Sequence, residues 1–536
     1  MTVASAAIAQ LVAEGVEVVF GIPGAHNILL CDAVLDYPQL RFIGGRHEQS
    51  PAFMANGYAR ASGKIAVPLV ITGPGVTNSL TAMADAYQDS VPMVLIASCQ
   101  KREMVGKGEF HGLKDQSGVL ASVAKWSTRV ERAEDVQEAI HSAFNQAYDG
   151  RPGPTAVEIP INLYAEETQS TVVPSSTSLR READSEAVRE AARQLNAARA
   201  PVVLAGGGAA QSDCAQVLIQ LLEHTNAPCY LTPLGKGTVP DDHPLSSGLI
   251  NLQIEGAPGR VLLEEADLLL VVGSSLDDKC TLQWTLPLPK NIIQIDICNE
   301  IIGQHYPVKT GLVGDAKAVL KQLLNELVTL EPVNRKSPVP RIAEMKEQVL
   351  AKSQHIPVWP YINALEEVLS PDAIVTNDAS LVNGWILGAL KRSLPRTVNI
   401  TANLAALGYA LPSAFGAKIA YPDRQVVAVM GDGGFLFTSE ALATAVEEKL
   451  NVVTLVFNDN CYITIKRMQI KQCNRSIGVD LVNPDFVKLA QAYGAHGLRV
   501  QTPDQLHDAL LSAFAQDLPS VIEIPLEIEP FPFDPS

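Results

Sequence analysis

One pattern recurs along this chain and restricts its fold more than any other feature. A short run of Val, Ile and Leu leads into a glycine-containing turn, and a helical periodicity follows. Val67–Gly73, Val202–Gly208, Leu268–Gly273 and Val426–Gly431 all conform to it. An uninterrupted apolar run is what a parallel strand covered on both faces requires, and strand–helix alternation implies right-handed βαβ units. The expected fold class is therefore α/β, with three doubly wound parallel-sheet domains. Two stretches break the alternation. Thr168–Ser185 is rich in Ser, Thr, Pro and charge, and Glu331–Pro340 reads Glu-Pro-Val-Asn-Arg-Lys-Ser-Pro-Val-Pro. Taken as exposed linkers, they delimit an N-terminal domain over 1–165, a central domain over 185–330 and a C-terminal domain over 350–530.

The length of 536 residues accommodates three such domains, and 47% hydrophobic with 18% charged residues excludes a disordered chain. A net charge of −17 without a basic block argues against nucleic acid or an anionic membrane surface as partner. Apolar runs such as Leu268–Val272 fall far short of the roughly 20 residues that span a bilayer. Met1-Thr-Val-Ala-Ser carries no basic segment ahead of an apolar core, so no secretory leader is expected. Eight cysteines without CxxC spacing speak for small buried hydrophobes in a reducing, cytoplasmic setting rather than disulfides or structural zinc.

The most informative chemistry lies in the C-terminal domain. Val426-Val-Ala-Val-Met ends in Gly431-Asp432-Gly433-Gly434, and Val452-Val-Thr-Leu-Val-Phe ends in Asn458-Asp459-Asn460-Cys461. Open α/β sheets bind ligands at strand C-termini, so Asp432 and Asp459 should lie side by side. Two oxygen ligands together with a diphosphate suit an octahedral hard cation such as Mg²⁺, and the glycines let the backbone approach phosphate.

The Gly-Asp-Gly segment followed by a strand ending in Asn-Asp resembles the diphosphate and metal motif of thiamine diphosphate enzymes. That resemblance implies thiamine diphosphate and Mg²⁺ as cofactors, with side-chain ligands Asp432 and Asp459 and a backbone carbonyl ligand at Cys461. It places Gly431, Gly433, Gly434, Tyr462 and Ile463 around the diphosphate. Asp at 459 replaces the more frequent Asn, as in catabolic acetolactate synthases. A second segment, Leu404-Ala-Ala-Leu-Gly-Tyr-Ala-Leu-Pro-Ser-Ala-Phe-Gly-Ala-Lys418, is similar to the one that holds the aminopyrimidine ring. Carbonyls of Ala405 and Leu407 would meet the ring's amino group, and the Leu407 side chain would bend the cofactor.

Upstream, Gly45-Arg-His-Glu48, Ile71-Thr-Gly-Pro74-Gly-Val-Thr-Asn78 and Ala84-Asp-Ala-Tyr-Gln88-Asp-Ser resemble the pyrimidine-binding domain of acetolactate synthases. The implied role of Glu48 is a hydrogen bond to the pyrimidine N1′ that favours the imino tautomer, an acid–base step routed through the cofactor. Pro74 and Asn78 fall beside the ring. His26 falls on a loop bordering the thiazolium, His111 aligns with a substrate-side Gln, and Gln88 with a small residue that shapes the pocket. The family's arrangement sets Glu48 of one subunit against Asp432 of another. It therefore implies at least a homodimer, with a homotetramer as the expected assembly.

The implied reaction is decarboxylation of a pyruvate-like 2-oxo acid and transfer to a second carbonyl, as in acetolactate synthase. Two departures weigh against a branched-chain biosynthetic role. Met468 replaces a Trp that helps select 2-oxobutyrate, and Lys279 stands where an Arg engages the second oxo acid. Alternatives are a non-ligating decarboxylase of a bulky or basic 2-oxo acid, whose cationic end the Asp115 and Gln116 neighbourhood would favour, an acyl-CoA lyase, and a non-catalytic homologue. Gly206-Gly-Gly208, Asp277-Asp278, Asp296 and Asp315 resemble the family's Rossmann-like central domain. FAD is disfavoured, because no matching loop is visible around Ser247–Gly256.

Overall fold

The computed structural model describes residues 1–175, 180–251 and 258–526, with backbone only at 258–260. Residues 176–179 of the first linker, 252–256 of the Ser247–Gly256 stretch that bears on FAD, and 527–530 of the C-terminal range lie outside them.

Among the described residues, eighteen strands form three six-stranded sheets. The first holds β1 (Val18–Gly21), β2 (Arg41–Gly44), β3 (Val67–Val70), β4 (Met93–Cys99), β5 (Trp126–Arg129) and β6 (Pro154–Pro160). The second holds β7 (Pro201–Ala205), β8 (Cys229–Leu231), β9 (Ser246–Leu249), β10 (Leu268–Val272), β11 (Ile292–Asp296) and β12 (Thr310–Val313). The third holds β13 (Ile374–Asn377), β14 (Val398–Ile400), β15 (Val426–Gly431), β16 (Val453–Asn458), β17 (His496–Arg499) and β18 (Ser520–Pro525). Their pairings are parallel. The apolar runs account for this: every residue of β3, β4, β7 and β10 is buried, so helices cover both faces. The α/β class with three doubly wound sheets is thus the observed one.

The first and third sheets share one strand order, β2-β1-β3-β4-β6-β5 and β14-β13-β15-β16-β18-β17. The central sheet runs β12-β11-β10-β7-β8-β9 instead, the order of a dinucleotide-binding fold. Ligands bind open α/β sheets where successive connections leave in opposite directions. In the first sheet the reversal lies between β1 and β3, whose ends lead to His26 and Pro74. In the third it lies between β13 and β15, whose ends lead to Asp378 and Asp432.

The outer sheets are not independent bodies. The helices Gln49–Ser62 and Ala410–Ala420 pack together and merge residues of both sheets, among them Phe53, Tyr409, Phe415 and Phe435, into one core. Glycines make the approach possible. A Cβ on Gly416 would stand 1.8 Å from the Met54 carbonyl oxygen, and one on Gly57 would stand 2.1 Å from that of Ser413. In the central sheet a Cβ on Gly206 would stand 2.3 Å from the Gly273 oxygen, so this glycine is required by a backbone crossing. No helix among the described residues is long and apolar enough to cross a membrane.

Candidate active site

A cavity of about 1080 Å³ opens at the C-terminal ends of β13, β15 and β16. β15 and β16 are in register, with Gly431 opposite Phe457, so the turns that follow them lie beside each other. Ala405, Leu407, Gly431, Asp432, Gly433, Gly434, Asp459, Cys461, Tyr462 and Ile463 all line this one cavity. The glycines are sterically necessary: a Cβ on Gly433 would lie 2.3 Å from the Tyr462 ring, and one on Gly434 2.0 Å from Asp378 Oδ2.

Asp432 is buried and Asp459 half-buried at the two strand ends. Burial raises the Asp432 carboxyl, opposed by the hydrogen bond from Asn483. Burial, then the charge of Asp432, pushes Asp459 up to about 6. Neither carboxyl has an ion-pair partner among the described residues, so two like charges face each other uncompensated. The Asn483 amide nitrogen donates to Asp432 Oδ2 at 2.6 Å, Asn458 Oδ1 at 3.0 Å and Asn460 Oδ1 at 3.4 Å. One nitrogen thus faces three oxygens, an environment made of hard donors. The described residues hold no group of three or more His, Cys, Asp or Glu side chains arranged for a metal. Asp432 and Asp459 offer two oxygen ligands, which could hold a hard cation such as Mg²⁺ whose other positions a diphosphate would fill.

Two residues of this site escape motif reading. Asn483 ties both strand ends together. Asp378, fully buried after β13, accepts the amide protons of Gly408 at 3.0 Å and Tyr409 at 3.1 Å. It thereby fixes the turn that presents Leu407. Burial raises its carboxyl to about 6 against these backbone donors. Its signal was a third strand end in the same domain, Thr376-Asn-Asp378.

The N-terminal residues gather elsewhere, and none of them lines the cavity. Glu48, the residue before the Gln49–Ser62 helix, accepts a hydrogen bond from Asn78 at 2.9 Å. Asn78 is four residues past Pro74, which starts the helix Pro74–Gln88. Gly73, with φ of 68°, donates its N–H to Gln116 Oε1 at 3.0 Å. A Cβ there would be 2.0 Å from the His111 oxygen, so the 108–116 loop closes on the Pro74 turn. The His26 and His111 rings meet edge to face at 5.2 Å, beside an exposed Phe110. Burial, then the proximity of His111, lowers the His26 pKa, and its Nδ1 is buried without a partner.

Several expectations are revised. Gln88 ends its helix about 20 Å from Pro74, since 15 residues rise 1.5 Å each, and its carbonyl lies beside Asn403, which lines the cavity. Asp115 caps its own helix through Gly118 N–H at 2.8 Å, and Gln116 is consumed by Gly73, Ser98 and Glu158. Gln116 is thereby fully engaged, whereas Asp115 is exposed and uses only Oδ1 in the cap. Met468 is half exposed and outside the cavity lining, whereas Lys279, Asp277 and Asp278 form its central-domain wall.

The chain is similar to known proteins along nearly its whole length. Three family models match: the thiamine pyrophosphate enzyme N-terminal TPP binding domain over residues 1–119, the central domain over 188–323, and the C-terminal TPP binding domain over 378–524. A probable acetolactate synthase large subunit of Methanocaldococcus jannaschii is 32% identical across 98% of this chain and 92% of its own. A probable 2-ketoarginine decarboxylase of Pseudomonas aeruginosa is 35% identical across 98% and 94%. The acetolactate synthase isozyme 3 large subunit of Escherichia coli is 31% identical across 95% and 91%.

Proposed function

The chain belongs to the thiamine pyrophosphate enzyme family, and on that premise we propose that it decarboxylates a 2-oxo acid and joins the remainder to a second carbonyl. The observation that carries the reading is the uncompensated Asp432–Asp459 pair beside a glycine turn in one large cavity. In this reading Asp432, Asp459 and the Cys461 carbonyl hold Mg²⁺, and the Gly431–Gly434 turn with Tyr462 and Ile463 surrounds the diphosphate. Ala405 and Leu407 hold the aminopyrimidine, with Pro74 and Asn78 beside it. Thiamine diphosphate supplies the electron sink for loss of CO₂.

The protein's own groups position and move protons. Asn78 holds Glu48 Oε2 through the 2.9 Å hydrogen bond, which leaves the other carboxylate oxygen to hold a proton at the pyrimidine ring. His26 and His111 bring titratable nitrogens to the Pro74 turn, where they would hold a substrate carboxylate or deliver a proton. Glu48 is absent from the cavity that contains Asp432, which supports a site completed by a second copy of the chain, at least a homodimer.

A second reading has its own support. Asp278 lines the cavity wall without a side-chain partner among the described residues, and it would suit the cationic end of a basic 2-oxo acid. The similarity to a 2-ketoarginine decarboxylase points the same way. Incubation with pyruvate, 2-oxobutyrate and 5-guanidino-2-oxopentanoate, with mass detection of aldehyde and ligated products, separates the two. Ligated products from pyruvate support the first reading. Aldehyde from the guanidino acid alone overturns it in favour of the second.

A further inference from the structure

A buried ion cluster lies between the outer sheets, away from the residues assigned above. The Arg60 guanidinium pairs with Asp85 at 2.7 Å and Asp89 at 2.9 Å, with side-chain exposure of 8% for Arg60 and 0% for both acids. Asn56 adds one donor to Asp85 at 3.0 Å. One guanidinium against two desolvated carboxylates leaves lone pairs and a negative charge to satisfy, and an uncompensated buried charge is strongly destabilising. The missing donors come from the other end of the sequence. Thr401 Oγ1 donates to Asp85 at 2.6 Å. The backbone N–H groups of Ala402 and Asn403 donate to Asp89 at 2.8 and 3.1 Å, and the Asn403 amide donates at 2.9 Å.

The segment captured in this way is the start of the loop that carries Ala405 and Leu407. Ala405 adopts φ of 55°, a left-handed conformation that an alanine reaches only under constraint. The constraint is visible. The same Thr401 hydroxyl that donates to Asp85 accepts the N–H of Ala406 at 2.9 Å. Asp378 then fixes Gly408 and Tyr409 beyond it. Ala405 is thus bent between two anchors, one at the helix Pro74–Gln88 and one at the end of β13.

We propose that Arg60, Asp85 and Asp89 act through Thr401 as positioning residues that preset the 401–407 loop of the same chain for its cofactor. This rests on the reading of Ala405 and Leu407 given above. Its physical content is that the N-terminal helices, which carry Glu48 and Asn78 at their other ends, also hold a wall of the C-terminal cavity. One rigid pair of helices would set both half-sites.

Thr401→Val tests the relay with little change of volume, and Thr401→Ser restores the hydroxyl. Hydrogen–deuterium exchange of the full-length protein without cofactor is followed over 402–408, together with thiamine diphosphate affinity by fluorescence quenching. Thr401→Val should speed exchange in that segment alone and weaken the cofactor about tenfold, the worth of a hydrogen bond to a charged group, with Thr401→Ser near wild type. Unchanged exchange over 402–408 overturns the proposal. Exchange raised equally throughout the chain also overturns it, because the hydroxyl would then serve general stability. If the wild-type protein binds no thiamine diphosphate, the functional reading fails, while the exchange result still decides the role of Thr401.

Discussion

Replacing Asp378 with Asn changes one atom type in a fully buried site and yields a pH-dependent result of defined sign. The carboxyl rises from an ordinary 3.8 to about 6 because burial outweighs four backbone donors. At 1.36 kcal/mol for each tenfold change in proton affinity, the difference amounts to about 3 kcal/mol. The folded state holds this proton more tightly than the unfolded state. Stability from this group is therefore fully present below about pH 4, is lost as pH rises to about 6, and stays constant above. The asparagine does not titrate. It leaves one of the two amide donors, Gly408 or Tyr409, without an acceptor, at a cost of about 1–3 kcal/mol at every pH. Relative to wild type, Asp378→Asn should thus gain about 3 kcal/mol between pH 4 and 7, and should be close to wild-type stability at neutral pH. Denaturant titrations at several pH values, read by the fluorescence of Trp359 and Trp385 in the C-terminal core, measure the gap. A gap that does not change with pH would show that the Asp378 carboxyl is not desolvated as the structure has it.

Three further outcomes are expected. Glu48→Gln should keep the fold and slow cofactor C2 hydrogen–deuterium exchange by about 10²–10⁴-fold, and unchanged exchange removes Glu48 from proton transfer. Protons and Mg²⁺ should compete for Asp459, raised to about 6. Apparent Mg²⁺ affinity with thiamine diphosphate present should fall about tenfold per pH unit below that value, and less steeply in Asp459→Asn. Calorimetric titration from pH 5 to 7.5 measures this, and a flat profile refutes it. Gly433→Ala should displace the Tyr462 ring, 2.3 Å from the added carbon, and weaken cofactor binding at least tenfold with little change in thermal midpoint.

What could be read from the sequence was what neighbours in sequence decide. The Gly431–Gly434 turn and the Asp459 strand end are contiguous motifs on apolar runs, so their positions at adjacent strand ends followed from periodicity alone. Asn483 lies 51 residues from the Asp432 it bonds, and Gln116 lies 43 from Gly73. Thr401 lies 316 residues from Asp85. Such partners are chosen by how sheets pack, and no local spacing encodes them. Gln88 follows a motif in sequence, and the helix Pro74–Gln88 carries it from the Pro74 turn to Asn403, a residue of the cavity lining. Asp115 was readable after all, as an Asp three residues before a helical N–H it caps.

The glycine notch between the helices Gln49–Ser62 and Ala410–Ala420 bears on how this chain can vary. At Gly57 and Gly416 the obstacle is a backbone oxygen, which cannot rotate aside as a side chain can. Every other amino acid carries the offending carbon, so tolerance at these positions collapses to one residue whatever the hydropathy or charge of the replacement. In a saturation survey scored by activity, both would rank with Asp432 although neither touches the cavity. Only a parallel score for abundance would separate them: the notch variants should vanish from the soluble pool, whereas Asp432 variants should persist there inactive.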